Sequence, residues 1–396
     1  MLKVVHLSTT PLVGAPGNLC RALNDHGQVQ ARWVCLRSDV GLYQQMPFAT
    51  DLCWQRQREE ALHAIEQADV LHLHNFIDLD SADFQPVDFR RRWQQGQPMV
   101  RQFHSQPALV AQGTGRTVAQ VHACPIPKLV IPQYPERHFA TARLVPNMVY
   151  VPPRPPAAAP AGAPRGALRI GYAPSRFNSA HSSRWDTKGY PETVTVLRRL
   201  ARAARARGLH VEIDLIEQVG HAECLRRKAG CDLFIDDLVT GSYHLNTLEA
   251  LAQGVPCATY LDARTAEVVR QVTGGHDLPV VNVGLEHAAT VLLELCARPE
   301  RLQALGVAGR AWMDRHWTGV HAAQTLGDIY RSVAAHPGRP FAQRFDEDDT
   351  GERWHVREQH DALWQARRAG WPRPVPPWLL GAKTAAGRVA RALHLR

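Results

Sequence analysis

Short apolar runs alternate with stretches of helical periodicity along most of this chain, and the alternation occurs twice, on either side of a proline- and alanine-rich tract. In the first series, residues 3–8, 31–36, 69–74, 99–104 and 128–131 read as buried strands, with helical spacing at 18–25 and 61–68. In the second, strands are expected at 168–172, 211–216, 232–236, 256–260 and 279–283. Helices are expected at 192–207, 221–229, 245–253 and 266–272, and from 285 to 334 the pattern is helical throughout. Strands separated by helical segments predict parallel sheets covered on both faces. Residues 151–164 have no periodicity, and proline without a backbone donor favours an extended, semi-rigid connector. The expectation is two doubly wound α/β domains with a cleft between them and a C-terminal helical extension. The boundaries are 1–150, a linker at 151–167, 168–336, and a basic extension at 337–396.

Composition narrows the class further. The 396 residues allow roughly two to four domains. Hydrophobic residues at 45% and charged residues at 21% exclude wholesale disorder. No apolar run approaches the roughly 20 residues that span a bilayer, and the N-terminus turns polar too soon for a signal peptide. A soluble, cytoplasmic protein is expected. Eight cysteines lie scattered, without metal-finger or redox spacing, and read as small hydrophobes. The excess of 46 Lys+Arg over 37 Asp+Glu, a net +9, suggests an anionic partner.

In doubly wound sheets ligands bind beyond the carboxyl ends of the strands, where helix N-termini offer free amides to anions. Three loops have suitable chemistry. After the first strand, Gly14 and Gly17 would let backbone pass close to a ligand and Asn18 could cap the following helix, although the dinucleotide G-x-G-x-x-G spacing is absent. After residue 172, Arg176, Arg184 and Lys188 bring cations and hydroxyls to one helix entrance, a composition suited to a diphosphate. The third loop runs from Asp236 through Ser242, Tyr243 and His244 to a helix starting near Leu245, with Asn246, Thr247 and Glu249 in its first turns. There a carboxylate can take ribose hydroxyls while helix-start amides face phosphate.

Two doubly wound domains, the glycine loop, the Arg…Lys-Gly loop and the Glu-Ala-Leu-Ala-Gln-Gly-Val-Pro stretch at 249–256 together resemble GT-B glycosyltransferases of the retaining family-4 type, over residues 1–335. The resemblance implies two Rossmann-like domains and transfer from a UDP- or GDP-linked sugar to a hydroxyl acceptor, with no cofactor and no required metal. It also assigns roles. Glu249 would hold the ribose, Arg176 and Lys188 the diphosphate, and the amides at 245–247 would assist. Gly14 and Gly17 would border the diphosphate from the facing domain. His104 would lie beside the transferred sugar, and the loop containing Val219 and His221 would flank the nucleobase. The chain departs from the family at Gly241, where the first motif glutamate is expected, and at His244, where glycine is usual. Asp236 or Asp237 are candidate substitutes for that glutamate, and Arg184 competes with Arg176 for the phosphate.

Other features carry less. His72 and His74 alternate on one strand, but a zinc site would need further ligands, so a cleft or structural role is expected. The arginine-rich helix at 192–207 reads as a solvated face. The basic tail at 383–396 is a candidate for peripheral contact with an anionic membrane, which would suit a saccharide or lipid-linked acceptor in envelope synthesis. Aromatic residues, 7% of the chain, are not clustered with arginine as nucleic-acid stacking platforms require. The competing readings are a non-catalytic nucleotide-sugar-binding protein and a transferase or epimerase with another acceptor on the same scaffold.

Overall fold

The computed structural model describes residues 1–39, 43, 48–151, 167–174 and 188–342. The first sheet has seven parallel strands in the order β3-β2-β1-β4-β5-β6-β7. These are β1 (Leu2–Ser8), β2 (Val29–Cys35), β3 (Leu52–Cys53), β4 (Val70–His74), β5 (Met99–Phe103), β6 (Lys128–Val130) and β7 (Arg143–Leu144). Its helices are α1 (Ala15–His26), α2 (Arg58–Glu66), α3 (Phe89–Gln94), α4 (Pro107–Thr114) and α5 (Val118–Ala123). Strands β4 and β5 are buried at every position, as a parallel sheet covered on both faces requires.

The second sheet contains β8 (Leu168–Tyr172), β9 (Val211–Leu215), β10 (Leu233–Ile235), β11 (Cys257–Thr259) and β12 (Val281–Asn282), in the order β12-β11-β10-β8-β9. Its helices are α6 (Tyr190–Ala206), α7 (His221–Ala229), α8 (Leu245–Ala252), α9 (Ala263–Thr273), α10 (Leu285–Cys296) and α11 (Pro299–His316). Counted within this sheet the order is 2-1-3-4-5, which reverses direction between β8 and β10. The loops leaving those two strands are the Lys188 loop and the 236–244 loop, so topology alone brings two of the three candidate loops to one crevice. On α6, Val196, Leu197 and Leu200 are buried, while Arg198, Arg199, Arg202 and Arg205 face solvent.

The last described helix, α12 (Gly319–Ala335), leaves the second sheet and packs on α1 of the first. Its buried residues Leu326, Ile329, Tyr330 and Val333 complete a core that includes Leu19, Leu23 and Val70. Further polar contacts join the two halves. The Tyr134–His138 turn meets the start of α9: Arg137 pairs with Asp262 at 2.8 Å, and Arg264 binds both oxygens of Glu136 at 2.9 and 3.1 Å. Trp317 donates its indole N–H to the Asn147 carbonyl at 2.8 Å. The linker at 152–166 and the extension beyond residue 342, with its basic tail, lie outside the described residues. No helix among the described residues is long and apolar enough to cross a membrane.

Candidate functional site

A cavity of about 550 Å³ opens between the two domains. Gly14, Gly17, Trp33 and Phe48 line one side, and His221, Leu245 and Glu249 the other. Five of the expected donor-binding positions therefore share one space. The two glycines differ in their reason for being glycine. Gly14 has φ +78° at the start of α1, a left-handed conformation that side chains rarely adopt. Gly17 has no such constraint, but a Cβ there would come within 2.8 Å of the Trp33 ring. Phe48 reaches across to the His221 ring, with centroids 5.2 Å apart.

Glu249 lies on the first turns of α8, below the Leu245 and Asn246 amides at the helix start, whereas the Thr247 amide already donates to the His244 carbonyl at 3.1 Å. Its carboxylate is buried and already engaged: Oε1 is 2.7 Å from His221 Nε2, and Oε2 accepts from Lys228 Nζ at 2.5 Å. Burial alone would raise its pKa, but the Lys228 charge and the His221 hydrogen bond outweigh it and hold the group at about 2. Lys228 is fully buried, donates also to Asn246 Oδ1 at 2.9 Å, and lies 4.7 Å from the Phe234 ring centroid. Sequence reading passed over Lys228, which there was one more cation at the end of α7. Nothing local distinguishes it, since its partner is 21 residues away.

The 236–244 loop is organised by two aspartates. Asp237 accepts from the amides of Val239 and Thr240 at 2.8 and 2.9 Å, from the Thr240 hydroxyl at 2.6 Å, and lies 2.9 Å from His244 Nε2. Burial would raise its pKa, but His244 and the nearby Lys188 charge keep it below the usual carboxylate range. Asp236 takes the His244 amide at 2.8 Å and the Thr247 hydroxyl at 2.6 Å, and so fastens the start of α8. Both carboxylates are thus tied into the loop, which argues against either serving in place of the absent glutamate.

Gly241 itself has φ +72°, and a Cβ there would come within 2.7 Å of Asp262 Oδ2, the oxygen that pairs with Arg137. The position where the sequence resemblance leads one to expect a glutamate is here closed by an inter-domain ion pair. Gly241→Glu is therefore expected to cost about 3–5 kcal/mol, because it combines a left-handed side chain with disruption of a buried pair. Equilibrium denaturation would measure this, and a loss below about 1 kcal/mol would contradict it.

The remaining predicted residues divide. Ser242 is buried and accepts the Tyr134 amide at 3.0 Å across the domain boundary. Tyr243 packs against Trp317 in the core, ring centroids 6.2 Å apart, so only its backbone borders the loop. Val219 is half-buried against the core and outside the cavity lining. Lys188 has φ +50° immediately before α6, and Gly189 beside it would meet Val239 if it carried a Cβ. Arg176 and Arg184 lie outside the described residues. His104 follows β5, and its amide donates to Asn75 Oδ1 at 2.7 Å. It does not stand alone: its Nε2 is 2.9 Å from His74 Nδ1, and His6, His72 and Tyr330 continue the contact inward. His6 was missed in the sequence because it lies 66 positions from its cross-strand partner His72.

Two facing parallel-sheet domains with a ligand-sized cleft constitute the GT-B fold. No protein-family model matches the chain, and no curated protein matches it in sequence. Among solved structures it is similar to sucrose-phosphate synthase from Thermosynechococcus elongatus, with TM-score 0.50 at 14% identity over 85% of this chain and 100% of that one. It is also similar to HepE from Anabaena in complex with UDP-glucose, with TM-score 0.52 at 13% identity over 84% of this chain and 100% of that one. At these identities the likeness establishes the fold.

Proposed function

We propose that this protein is a glycosyltransferase that moves a sugar from a nucleotide-diphosphate sugar to a hydroxyl acceptor. The observation that carries the reading is the inter-domain cavity, where a glycine-bearing loop faces a helix start, a histidine and a buried carboxylate. Residues 168–336 would hold the donor and residues 1–150 the acceptor, with 151–167 as the linker. Helix-start amides of α8 and the Lys188 ammonium would receive the charge that develops on the departing diphosphate, the main catalytic term in this scheme. Glu249 would accept ribose hydroxyls through lone pairs left free by His221 and Lys228, since each carboxylate oxygen has room for two donors. Retention of anomeric configuration and independence from metal are part of the proposal. So are a saccharide or lipid-linked envelope acceptor and peripheral membrane contact through the tail.

HepE was crystallised with UDP-glucose, which makes UDP and UDP-glucose the first probes, with GDP sugars beside them. Lys188→Ala and Glu249→Gln are each expected to weaken UDP binding about tenfold, or about 1.4 kcal/mol, in titration calorimetry. Unchanged affinity in both would overturn the site assignment. A second reading, nucleotide-sugar binding without turnover, is favoured by Gly241, which stands where the resembled glycosyltransferases carry their first motif glutamate. Binding with no hydrolysis or transfer across the donor panel would select it.

A further inference from the structure

The described residues include a group of five side chains in continuous contact between the first sheet and α12. His104 Nε2 lies 2.9 Å from His74 Nδ1, and His74 Nε2 lies 3.1 Å from His6 Nδ1. His6 Nε2 lies 3.0 Å from the Tyr330 hydroxyl, which is 2.7 Å from His72 Nδ1. His6, His72, His74 and Tyr330 are all fully buried. His104 is half-buried, and its Nδ1 makes no hydrogen bond among the described residues. At the inner end, His72 Nε2 is unpaired. The Gln102 amide lies against His72, and neither of its polar atoms has a partner.

Three of these histidines place nitrogen atoms within 4.8 Å of one another. Their arrangement nonetheless opposes chelation of a single ion. The His72 and His74 rings are stacked 4.3 Å apart and within 8° of parallel. Imidazole lone pairs lie in the ring plane, so two parallel stacked rings cannot direct theirs to one ion. Five of their six nitrogens are satisfied instead by one another, by His104 and by Tyr330, and only His72 Nε2 is left over.

A neutral imidazole has one donor and one acceptor nitrogen, so each link dictates the next. A tyrosine hydroxyl has one hydrogen to give and two lone pairs, so three polarities satisfy every link. In the first, His104 Nε2–H donates to His74, His74 Nε2–H to His6, His6 Nε2–H to Tyr330, and the Tyr330 hydroxyl to His72 Nδ1. The second differs only in that His72 Nδ1–H donates to Tyr330, which then accepts from both sides; the third reverses every bond of the first. The first makes all four histidines Nε2–H, the commoner tautomer of neutral histidine in water; the second keeps His104, His74 and His6 in that tautomer; the third makes all four Nδ1–H. In the first, His72 Nε2–H points outward from the chain toward the Gln102 amide, whose oxygen can accept.

We propose that Tyr330 is a positioning residue that, as acceptor for His6 Nε2–H and through His6 and His74, fixes His104 as the Nε2–H tautomer and so leaves the half-buried His104 Nδ1 as a bare acceptor. Such an acceptor suits a hydroxyl donor, that is, a sugar or acceptor alcohol rather than a carboxylate or phosphate oxygen. The identity of that partner rests on the proposed glycosyl transfer; the tautomer does not. Burial keeps the chain neutral, holding His6 at about 3 and His104 at about 4.

The test uses the full-length, ligand-free protein labelled with 15N at histidine, at pH 7.5, read by long-range proton–nitrogen correlation. His104 signals are assigned by their loss in His104→Gln. The expected result is pyridine-type Nδ1 and pyrrole-type Nε2 at His104, with the same pattern at His74 and His6. Tyr330→Phe removes the acceptor for His6 Nε2–H, so the chain should reverse and His104 should become Nδ1–H. A protonated Nδ1 at His104 in the unaltered protein, or differing tautomers among His104, His74 and His6, would overturn the proposal without any variant. An unchanged His104 tautomer in folded Tyr330→Phe would do the same. If the tautomers are as expected but UDP sugars are neither bound nor turned over, the functional reading fails and the chain stands.

Discussion

Lowering the pH from 7.5 to 5 is expected to remove about 4 kcal/mol of folding stability through two histidines alone, a large share of the stability of an ordinary domain. The cause is the buried histidine group. Burial, reinforced by the charge of His104, holds His6 at about 3, and burial holds His104 at about 4. His72 and His74 are pushed well below the usual value by burial and by their histidine neighbours. In the unfolded chain each would titrate near 6.5, so between that value and the folded one only the unfolded state binds the proton. The stabilisation is complete above about pH 6.5 and is lost as pH falls toward 4 and 3. At pH 5 His6 and His104 each contribute about 2 kcal/mol of that loss, and His72 and His74 add to it in the same direction. Glu249, held at about 2, has the same sign but acts only below pH 4.5. Denaturant melts at pH 7.5, 6 and 5 would show the loss, and unfolding at pH 5 should take up about one proton each at His6 and His104, with further uptake at His72 and His74. Stability that stays flat from pH 7 to 5 would mean that water reaches the cluster. The net charge of +9 works in the same direction, because each added proton enlarges an existing excess.

Why so much of the fold was legible, and so little of this cluster, follows from where each signal resides. Parallel strands buried on both faces are continuous apolar runs, so residues 168–172 were placed as β8 and 221–229 as α7 to the residue. The pairs Leu52–Cys53 and Arg143–Leu144 extend the first sheet by two edge strands that are too short to show any period. Helix α12 had a clear helical pattern, but an apolar face does not state which core it covers. That choice brings Tyr330 to His6, across 324 positions of sequence. In the cleft, glycine loops and Glu249 announced themselves by residue type and spacing. The occupancy of their atoms did not. Asp236 and Asp237 looked like free acids and are loop fasteners; Gly241 looked like a lost carboxylate and is a left-handed position closed by Asp262 and Arg137.

Replacing Lys228 with methionine is expected to destabilise the protein by about 3–5 kcal/mol, although Met fills nearly the same volume. The reason is what remains. Glu249 is buried, with a side-chain exposure of 7%, and its low pKa depends on the Lys228 charge 2.5 Å away. Without Lys228 the carboxylate must either stay charged in a poor environment or take a proton, and its pKa should rise into or above the ordinary carboxylate range. Removing both members separates architecture from function. Lys228→Met with Glu249→Leu deletes the charge pair, restores apolar packing beside Phe234, and should recover most of the lost stability. If Glu249 serves only the fold, the double variant should bind UDP as the original protein does. If it also receives the ribose, the double variant should fold well and still bind at least tenfold more weakly, about 1.4 kcal/mol. Combined denaturation and calorimetry on the three variants distinguishes these outcomes. The second is expected, because Glu249 faces a cavity whose opposite wall belongs to the other domain, whereas an internal strut would need no opening in front of it. A double variant with restored stability and undiminished affinity would reduce Glu249 to a partner of Lys228 and move the nucleotide elsewhere in the cleft.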